Sequence, residues 1–288
     1  MPPFTAGSHI DVMLRDGLVR QYSLCNHPSE SHRYVIAVLR DAHSRGGSIA
    51  MHALEEGRLI DIGEPKNHFP LDARARHSLL LAGGIGITPI IAMAEALDHA
   101  GASFEMHYCT RSAARMAFRE RLAEPRFAGR VHLYFDDAQA REQLRLDALL
   151  AQARADDTHL YVCGPAGFIA AAMDAAKAAG WGDANVHREF FAAPAAEEGG
   201  GAFQVKVAST GRVIDVAPDV TVVAALAQAG VEVPTSCEQG VCGTCLTRVL
   251  SGEPDHRDVY LMDDEKAAND QFLPCCSRSK SPMLVLDL

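Results

Sequence analysis

Four cysteines near the C-terminus carry the clearest chemistry in this 288-residue sequence. They are Cys237, Cys242, Cys245 and Cys275, spaced C-x4-C-x2-C with the fourth after 29 further residues. This is the plant-type ligand spacing of a [2Fe–2S] cluster. Gly240 and Gly243 lie between the first three cysteines, where they permit tight turns and let backbone N–H groups approach the sulfurs. A structural zinc ion is the alternative, but zinc sites favour a short cysteine pair at both ends, and this sequence has a single distal cysteine.

The chain contains eight cysteines, so other thiols compete for the ligand positions. Cys276 is the alternative fourth ligand, but the 29-residue gap and the following Ser277-Arg278 favour Cys275. The N-terminal residues show neither the basic region nor the apolar stretch of a signal peptide. Reduced thiols and a cytoplasmic location are therefore expected, rather than disulfides.

A glycine-rich turn forms a second candidate site. Leu79-Leu80-Leu81-Ala82 predicts a buried strand, and Gly83-Gly84-Ile85-Gly86 follows it directly. Thr88 then suits the N-cap of a helix and Pro89 its first position. Glycines in such a strand-to-helix turn let a pyrophosphate approach the backbone at the positive end of the helix. The pattern therefore predicts a dinucleotide site at Gly83, Gly84, Gly86, Thr88 and Pro89.

An arginine and a second glycine turn predict an anion site near the N-terminus. Arg20 can donate two parallel hydrogen bonds to a phosphate. Arg45-Gly46-Gly47-Ser48 precedes a helical pattern over residues 49–54, and glycines before a helix free backbone N–H groups to hold an anion. An ordinary strand with a surface arginine is the alternative for Arg20.

In combination these motifs resemble the reductase components of two-component Rieske oxygenases, of the phthalate dioxygenase reductase and vanillate O-demethylase reductase type. The likeness extends over essentially the whole chain and follows the order of modules in that family: flavin barrel, NAD domain, C-terminal ferredoxin. It implies FMN, NADH and a plant-type [2Fe–2S] cluster as cofactors. The partner implied is a separate oxygenase with a Rieske centre, which demethylates or dihydroxylates an aromatic acid.

The resemblance assigns the flavin-site residues. Arg20-Gln21-Tyr22-Ser23 matches the R-x-Y-S motif of flavin domains, which places the ring of Tyr22 and the hydroxyl of Ser23 near the isoalloxazine. The glycine turn resembles the FMN version of the site, and we identify no contacts for the second nucleotide of FAD. The implied flavin contacts are Arg20, Tyr22, Ser23, Leu24, Gly46, Gly47 and Ser48.

The nicotinamide side is assigned in the same way. Cys163 resembles the family cysteine near the nicotinamide and flavin rings, and Phe191 matches the E-x-F segment beside the flavin. A buried small hydrophobe and half of a packed aromatic pair are their respective alternatives. NADH is favoured by the resemblance alone, since Arg111 and Arg115 could meet the 2′-phosphate of NADPH. The further implied contacts are Thr110, Arg111, Ser112, Cys163, Gly164 and Pro165.

The pattern of apolar and polar residues changes along the chain and divides it into the regions that must position these sites. Residues 1–73 are β-rich, with strand patterns over residues 9–14 and 34–39. The resemblance implies that they form the FMN-binding antiparallel β-barrel, shortened at its N-terminus because the family has further strands before this point. Residues 74–192 alternate helical patterns with four apolar strands, predicted at residues 79–82, 104–109, 131–135 and 160–163. This alternation predicts the α/β parallel-sheet NAD domain. Residues 193–202 read as a linker. Residues 203–288 give two strands, a helix and the cysteine loop, the order of an α+β β-grasp ferredoxin.

Charge and composition exclude other classes of function. A net charge of −10 argues against a nucleic-acid partner. No apolar run reaches the roughly 18 residues of a transmembrane helix. Histidines such as His9, His68 and His132 are scattered along the sequence and are read as surface or structural groups. No histidine pair, carboxylate pair or Ser-His-Asp set indicates hydrolysis.

The three predicted cofactor sites make chemical sense together. A nicotinamide gives two electrons as hydride and an iron–sulfur cluster accepts one, so a flavin that can do both must stand between them. The sequence therefore predicts an NADH-dependent oxidoreductase that passes electrons through FMN and [2Fe–2S] to a Rieske oxygenase. A reductase for another hydroxylase such as a P450 is one alternative. A non-catalytic [2Fe–2S] carrier with an inactive flavin domain is the other.

Overall fold

The computed structural model describes residues 1–42, 44, 46–137, 143–153, 156–191 and 200–288. The chain divides into two compact units, Met1–Phe191 and Ala192–Leu288. Arg45 and residues 193–199 of the predicted linker lie outside the described residues. The finer division of the first unit at residues 73 and 74 stays a prediction.

The N-terminal region of the first unit contains a small antiparallel sheet. Strands β1 (His9–Met13), β2 (Val19–Ser23) and β3 (Asp61–Ile62) pair in the order β2-β1-β3, and helix α1 (Gly47–His52) follows β2. The strand expected over residues 34–39 forms only a single bridge, between Ile36 and Leu24. A closed barrel is thus not seen in the described residues, and the barrel stays a prediction.

The rest of the first unit is a five-stranded parallel sheet with the order β6-β5-β4-β7-β8. The strands are β4 (His77–Gly83), β5 (Ser103–Thr110), β6 (Val131–Phe135), β7 (Thr158–Cys163) and β8 (Val186–Glu189), and the helices are α2 (Ile87–His99), α3 (Arg119–Leu122), α4 (Leu146–Ala153) and α5 (Ala166–Ala178). The four predicted apolar strands are all present, because an apolar run buried on both faces is typical of a parallel sheet. In β4, Leu80 packs in the core that contains α2, whereas Leu79 and Leu81 pack in the core that contains α5.

One hydrophobic core joins the N-terminal region to this sheet. Cys25 and Phe69 belong to the same buried cluster as Ile87 and Met93 of α2. The hydroxyl of Tyr161 on β7 accepts a hydrogen bond of 2.8 Å from the backbone N–H of Asp72. The expected flavin and dinucleotide residues are therefore held in one packed body.

The second unit is built on a mixed five-stranded sheet. Its strands β9 (Phe203–Val207), β10 (Val213–Val216), β11 (Thr247–Ser251), β13 (Gln271–Phe272) and β15 (Met283–Leu286) take the order β10-β9-β15-β11-β13, with β12 (Pro254–Asp255) paired to β14 (Arg278–Ser279) and with helices α6 (Val222–Gln228) and α7 (Asp263–Ala268). Only the pairing of β9 with β15 is parallel. Thr221 caps α6 by accepting a hydrogen bond from Ala224 N at 3.2 Å, and Leu226 packs on the sheet. Among the described residues, no helix is both long and apolar enough to cross a membrane.

Candidate functional site

The four predicted cysteine ligands converge in the second unit. Cys242, Cys245 and Cys275 are buried, and Cys237 is half-buried. The thiol of Cys237 is within hydrogen-bond reach of Cys242, and that of Cys245 is within reach of Cys275. Sulfurs separated by 29 intervening residues therefore meet at one place. Four thiols form the soft donor set that an iron–sulfur cluster requires.

The cysteine loop, residues 235–245, depends on glycine at two positions. Gly240 and Gly243 have φ angles of +71° and +70°, which side chains with a Cβ rarely adopt. A Cβ on Gly240 would lie 2.5 Å from the sulfur of Cys276, and one on Gly243 would lie 2.3 Å from the ring of Tyr260. The loop is therefore closely enclosed by residues that follow it in sequence.

Polar groups of the loop point at its sulfurs. The backbone N–H of Gln239 donates to Cys237 Sγ at 3.3 Å, and that of Thr244 approaches Cys242 Sγ at 3.5 Å. The hydrogen bond between these two thiols lowers the pKa of Cys242 and raises that of Cys237. The donors around the two sulfurs are placed to stabilise the thiolates that are the ligand form.

The choice between Cys275 and Cys276 has a structural basis. Cys275 is buried beside Cys245. Cys276 lies over Gly240 instead, with its sulfur 3.8 Å from Leu273 O. This arrangement favours Cys275 as the fourth ligand and leaves Cys276 as a packed thiol.

The sequence analysis missed Asp258, which fixes the loop from outside. Its side chain is fully buried, and Oδ2 accepts a hydrogen bond of 2.8 Å from Leu261 N. Oδ1 accepts a weaker one of 3.4 Å from the hydroxyl of Ser277, two residues after Cys275. No motif in the sequence marks Asp258, so only the fold shows that it packs on Gly240 of the loop and bonds the segment after the last ligand.

In the first unit, the predicted dinucleotide residues meet at the carboxyl edge of the parallel sheet. Gly83 ends β4, Thr110 ends β5 and Cys163 ends β7, with Ala82 and Cys163 directly paired. Ligands of such sheets bind at this edge. Arg111 is exposed there and Ser112 is half-buried, so both are accessible to a ligand.

Close packing explains why the turn after β4 is glycine-rich. A Cβ on Gly86 would lie 2.3 Å from the carbonyl oxygen of Cys163, and one on Gly83 would lie 2.9 Å from the ring of Phe168. A Cβ on Gly164 would lie 2.9 Å from the same ring. The start of α2 therefore packs directly on the backbone at the end of β7. The glycine backbone of the turn, without side chains, borders the carboxyl edge of the sheet. This cradle fits the predicted pyrophosphate.

The prediction that Thr88 caps the helix is wrong. A single turn of 3-10 helix, Gly84–Gly86, precedes α2, so the helix begins at Ile87 with Gly86 as its N-cap. Thr88 and Pro89 are buried inside the first turn, and the Thr88 hydroxyl donates to Ile85 O at 3.0 Å. Thr88 and Pro89 therefore belong to the first turn of α2, and neither is the N-cap.

Glu189 is the glutamate of the E-x-F segment, and the sequence analysis assigned it no role. It lies opposite Cys163 in the pairing of β8 with β7. Its Oε2 atom is buried and has no hydrogen-bond partner, and burial raises the pKa of the carboxyl to about 8. Burial also raises the pKa of the fully buried Cys163 thiol, with a smaller effect from Glu189. A neutral acid and a neutral thiol thus adjoin the predicted nicotinamide position.

The two phenylalanines after β8 separate into different environments. Phe190 packs against the core that contains α5, whereas Phe191 is 39% exposed. The alternative of a packed aromatic pair therefore applies to Phe190 only. Phe191 is accessible at the sheet edge, as its implied place beside a flavin requires.

The predicted flavin phosphate site brings Arg20 and the second glycine turn together. A Cβ on Gly47 would lie 2.7 Å from Arg20 Nε, so the arginine side chain lies over the turn. Gly46 has a φ angle of +93°, and the hydroxyl of Ser48 accepts a hydrogen bond of 3.2 Å from Asp41 N. A guanidinium above a glycine turn has the donors that a phosphate needs.

The remaining flavin residues differ in accessibility. Tyr22 is half-buried, and burial raises the pKa of its hydroxyl. Ser23 is buried. Leu24 is fully buried, and its N–H donates to Ser8 O at 2.8 Å. Packing therefore accounts for Leu24, whose flavin contact stays a prediction.

Two family models match the chain. The model described as "2Fe-2S iron-sulfur cluster binding domain" matches residues 205–280. The model described as "Dimethylamine monooxygenase subunit DmmA-like, N-terminal domain" matches residues 65–186. The first match confirms the predicted [2Fe–2S] domain over the zinc alternative.

Known proteins match over the whole chain. The vanillate O-demethylase oxidoreductase of Pseudomonas putida is 55% identical, over 99% of this chain and 90% of that protein. The solved structure of phthalate dioxygenase reductase is described as modular, for electron transfer from pyridine nucleotides to [2Fe–2S]; it is 38% identical with a TM-score of 0.76, over 100% of this chain and 89% of that one. An intact type IV self-sufficient cytochrome P450 monooxygenase is 40% identical with a TM-score of 0.84, over 100% of this chain and 37% of that one. This chain therefore belongs to the family of oxygenase reductases that includes vanillate O-demethylase oxidoreductase and phthalate dioxygenase reductase, and it is an electron-transfer oxidoreductase that serves an oxygenase component.

Proposed function

We propose that this protein carries electrons from NADH through FMN and its [2Fe–2S] cluster to a Rieske-type oxygenase that demethylates or dihydroxylates an aromatic acid. The names of its relatives refer to vanillate and phthalate, which are both aromatic acids. One observation carries the proposal: the glycine turn, Cys163 and Glu189 meet at one sheet edge, in a chain that also gathers four cysteines. A cytoplasmic location stays a prediction.

The residues of the chain bind the cofactors, orient them and exclude water from the reacting rings. Bound FMN would supply the chemistry that links two-electron hydride transfer to the transfer of single electrons. The backbone of residues 83–86 holds the dinucleotide pyrophosphate, and Arg20 holds the flavin phosphate. The buried side chain of Cys163 gives the reacting rings an apolar contact surface. No side chain is needed as a base, so a neutral Glu189 serves as a hydrogen-bond donor there.

A P450-type acceptor is the second candidate. It is favoured by the similarity of the entire chain to 37% of a self-sufficient cytochrome P450 monooxygenase. The same reductase architecture thus occurs fused to a P450. The acceptor is selected by surface complementarity, so the two candidates share every cofactor-binding residue and differ in the partner alone.

The test is an anaerobic visible absorption spectrum of the purified protein before and after NADH, followed by reduction of cytochrome c. We expect the flavin and iron–sulfur bands both to bleach and cytochrome c to be reduced. Cofactor-loaded protein that fails to reduce cytochrome c with NADH would refute the electron chain. A Cys242→Ser variant is the control, because it should bleach its flavin band yet leave cytochrome c oxidised.

The partner is tested separately by supplying one acceptor at a time. A Rieske vanillate oxygenase component with vanillate should release formaldehyde in proportion to NADH consumed. Turnover with a P450 and its substrate, and none with the Rieske component, would replace the first candidate by the second.

A further inference from the structure

A cluster of two histidines and a glutamate lies on the outer part of the parallel sheet, away from every site described above. Glu105 and His107 belong to β5, and His132 belongs to β6. The register pairs His107 directly with His132, and their rings stack with centroids 4.9 Å apart. One ligand atom from each residue lies within 4.8 Å of the other two.

The three side chains turn toward a common point. Glu105 Oε1 lies 2.8 Å from His132 Nε2 and 3.3 Å from His107 Nε2. Two ligands at about 2.1 Å from a tetrahedral zinc ion are roughly 3.4 Å apart. A small outward shift of the partly exposed His132 therefore opens the space that an ion needs.

His107 is oriented as metal-binding histidines are. Its Nδ1 lies 3.0 Å from the hydroxyl of Tyr134, which is two residues after His132 on β6. Donation of the Nδ1 proton to that hydroxyl leaves Nε2 with a lone pair facing Glu105. A second hydrogen bond of this kind fixes the tautomer and orientation of a histidine ligand.

The Nε2 atom of His107 is buried, and in the part of the chain that the structure describes it makes no well-aligned hydrogen bond, although Glu105 Oε1 lies 3.3 Å away. The side chain is 4% exposed, so little water reaches this atom. A buried polar atom with only a poorly aligned contact costs free energy. A cation between Nε2 and Oε1 would satisfy both atoms, and this is the independent observation that points to a ligand.

A second histidine cluster in the same sheet shows what a satisfied cluster looks like. His159 Nδ1 and His187 Nε2 are 2.9 Å apart, so one donates to the other. The nearby Asp72 is held by Arg74, whose Nη2 lies 2.6 Å from Oδ2. The Arg74 guanidinium opposes a further cation. Among the described residues, no arginine or lysine forms an ion pair with Glu105. The two clusters therefore differ in their capacity to bind a metal ion.

We propose that Glu105, His107 and His132 form a binding site for a divalent transition-metal ion, best matched by Zn²⁺, that is separate from the electron-transfer cofactors. Two imidazoles and one carboxylate suit such ions. The side chains of Glu105 and His132 are 38% and 39% exposed, so the ion has an entry path and keeps coordination positions for water. Bound metal would tie the edge strand β6 to β5.

The test titrates Zn²⁺ into the cofactor-loaded protein by calorimetry while the iron–sulfur absorption is recorded. We expect one Zn²⁺ site and unchanged absorption. His132→Gln and Glu105→Gln should each weaken that site by at least about 10-fold. His187→Gln, in the other cluster, is the matched control and should bind Zn²⁺ as the wild type does.

Since His132 and Glu105 are partly exposed, their variants should fold, and their melting temperatures without metal check this. Cu²⁺ added to the oxidised protein gives a second readout: the EPR signal should show two nitrogen ligands in the wild type and one in His132→Gln. Equal Zn²⁺ affinity in the wild type and both ligand variants would overturn the proposal. So would Zn²⁺ uptake that bleaches the iron–sulfur absorption, since the ion would then be at the cysteines.

Discussion

The glycine turn after β4 and the cysteine loop before β11 are the two glycine-containing segments predicted to meet a cofactor, but different forces hold them in place. The turn lies between a strand that is buried for most of its length and a 13-residue helix whose first half is buried. The cysteine loop has no helix or strand over residues 235–246. Side chains such as Asp258 and Tyr260 enclose it instead. The conformation of the glycine turn is therefore fixed by the hydrophobic core. The conformation of the cysteine loop depends in addition on the cluster that it binds.

Loss of a cluster ligand should have the largest effect. Cys275→Ser should abolish the iron–sulfur absorption, because one of four thiolates is lost from a loop that the cluster helps to order. Reduction of cytochrome c by NADH should fall to background. Cys276→Ser is the matched control, and iron and sulfide analysis should find its cluster complete. If Cys276→Ser lost the cluster and Cys275→Ser kept it, Cys276 would be the fourth ligand and Cys275 the packed thiol.

Gly86→Ala should cost about 4 kcal/mol of unfolding free energy, or prevent folding, because the added Cβ meets the Cys163 carbonyl. Gly84→Ala is the control in the same turn. Gly84 has a φ angle of +54° but open space around it, so its cost should be only about 1–2 kcal/mol. Chemical denaturation measures both. Equal costs would mean that the turn is less tightly packed than the comparison requires.

Asp258→Ala should destabilise the second unit by about 3 kcal/mol, since it leaves the buried Leu261 N–H and Ser277 hydroxyl without an acceptor. The cluster should also be lost faster on dilution into chelator, because the loop is released from its enclosing contacts. Absorption decay measures this rate. Asp255→Ala, at a half-buried neighbour, serves as control; equal decay rates in the two variants would count against the role of Asp258.

The smallest effect concerns Glu189 and depends on pH. The folded carboxyl has a raised pKa of about 8 against an ordinary value of 4.5. Between these values the folded protein holds a proton that the unfolded chain releases, so its stability falls as pH rises through that window. Glu189→Gln should therefore equal the wild type in stability near pH 4.5, become progressively more stable than it as the pH rises, and reach a constant advantage above about pH 8. Melting temperatures across that range test this, and a difference that is constant over the whole range would contradict the buried carboxyl.

Much of the cysteine loop and of the glycine turn was predictable from sequence. Ligand spacing, glycines and apolar runs are local properties, and they correctly indicated the [2Fe–2S] domain and all the strands of the parallel sheet that were proposed. Helix starts were less predictable. Thr88 has the residue type of an N-cap, but α2 begins one residue earlier, at Ile87, with Gly86 as its N-cap. Gly86 packs closely on Cys163, a contact that the sequence does not show.

The sequence by itself determined the cofactor chemistry, because cysteine spacing and a strand-to-helix glycine turn act within short segments. Only the tertiary structure decided which distant residues meet. Strand register pairs Cys163 with Glu189 and His107 with His132. These partners are separated in sequence by a crossover that carries no fixed spacing. The register is set by the burial of both faces of the sheet, a property of the whole fold that no single segment contains.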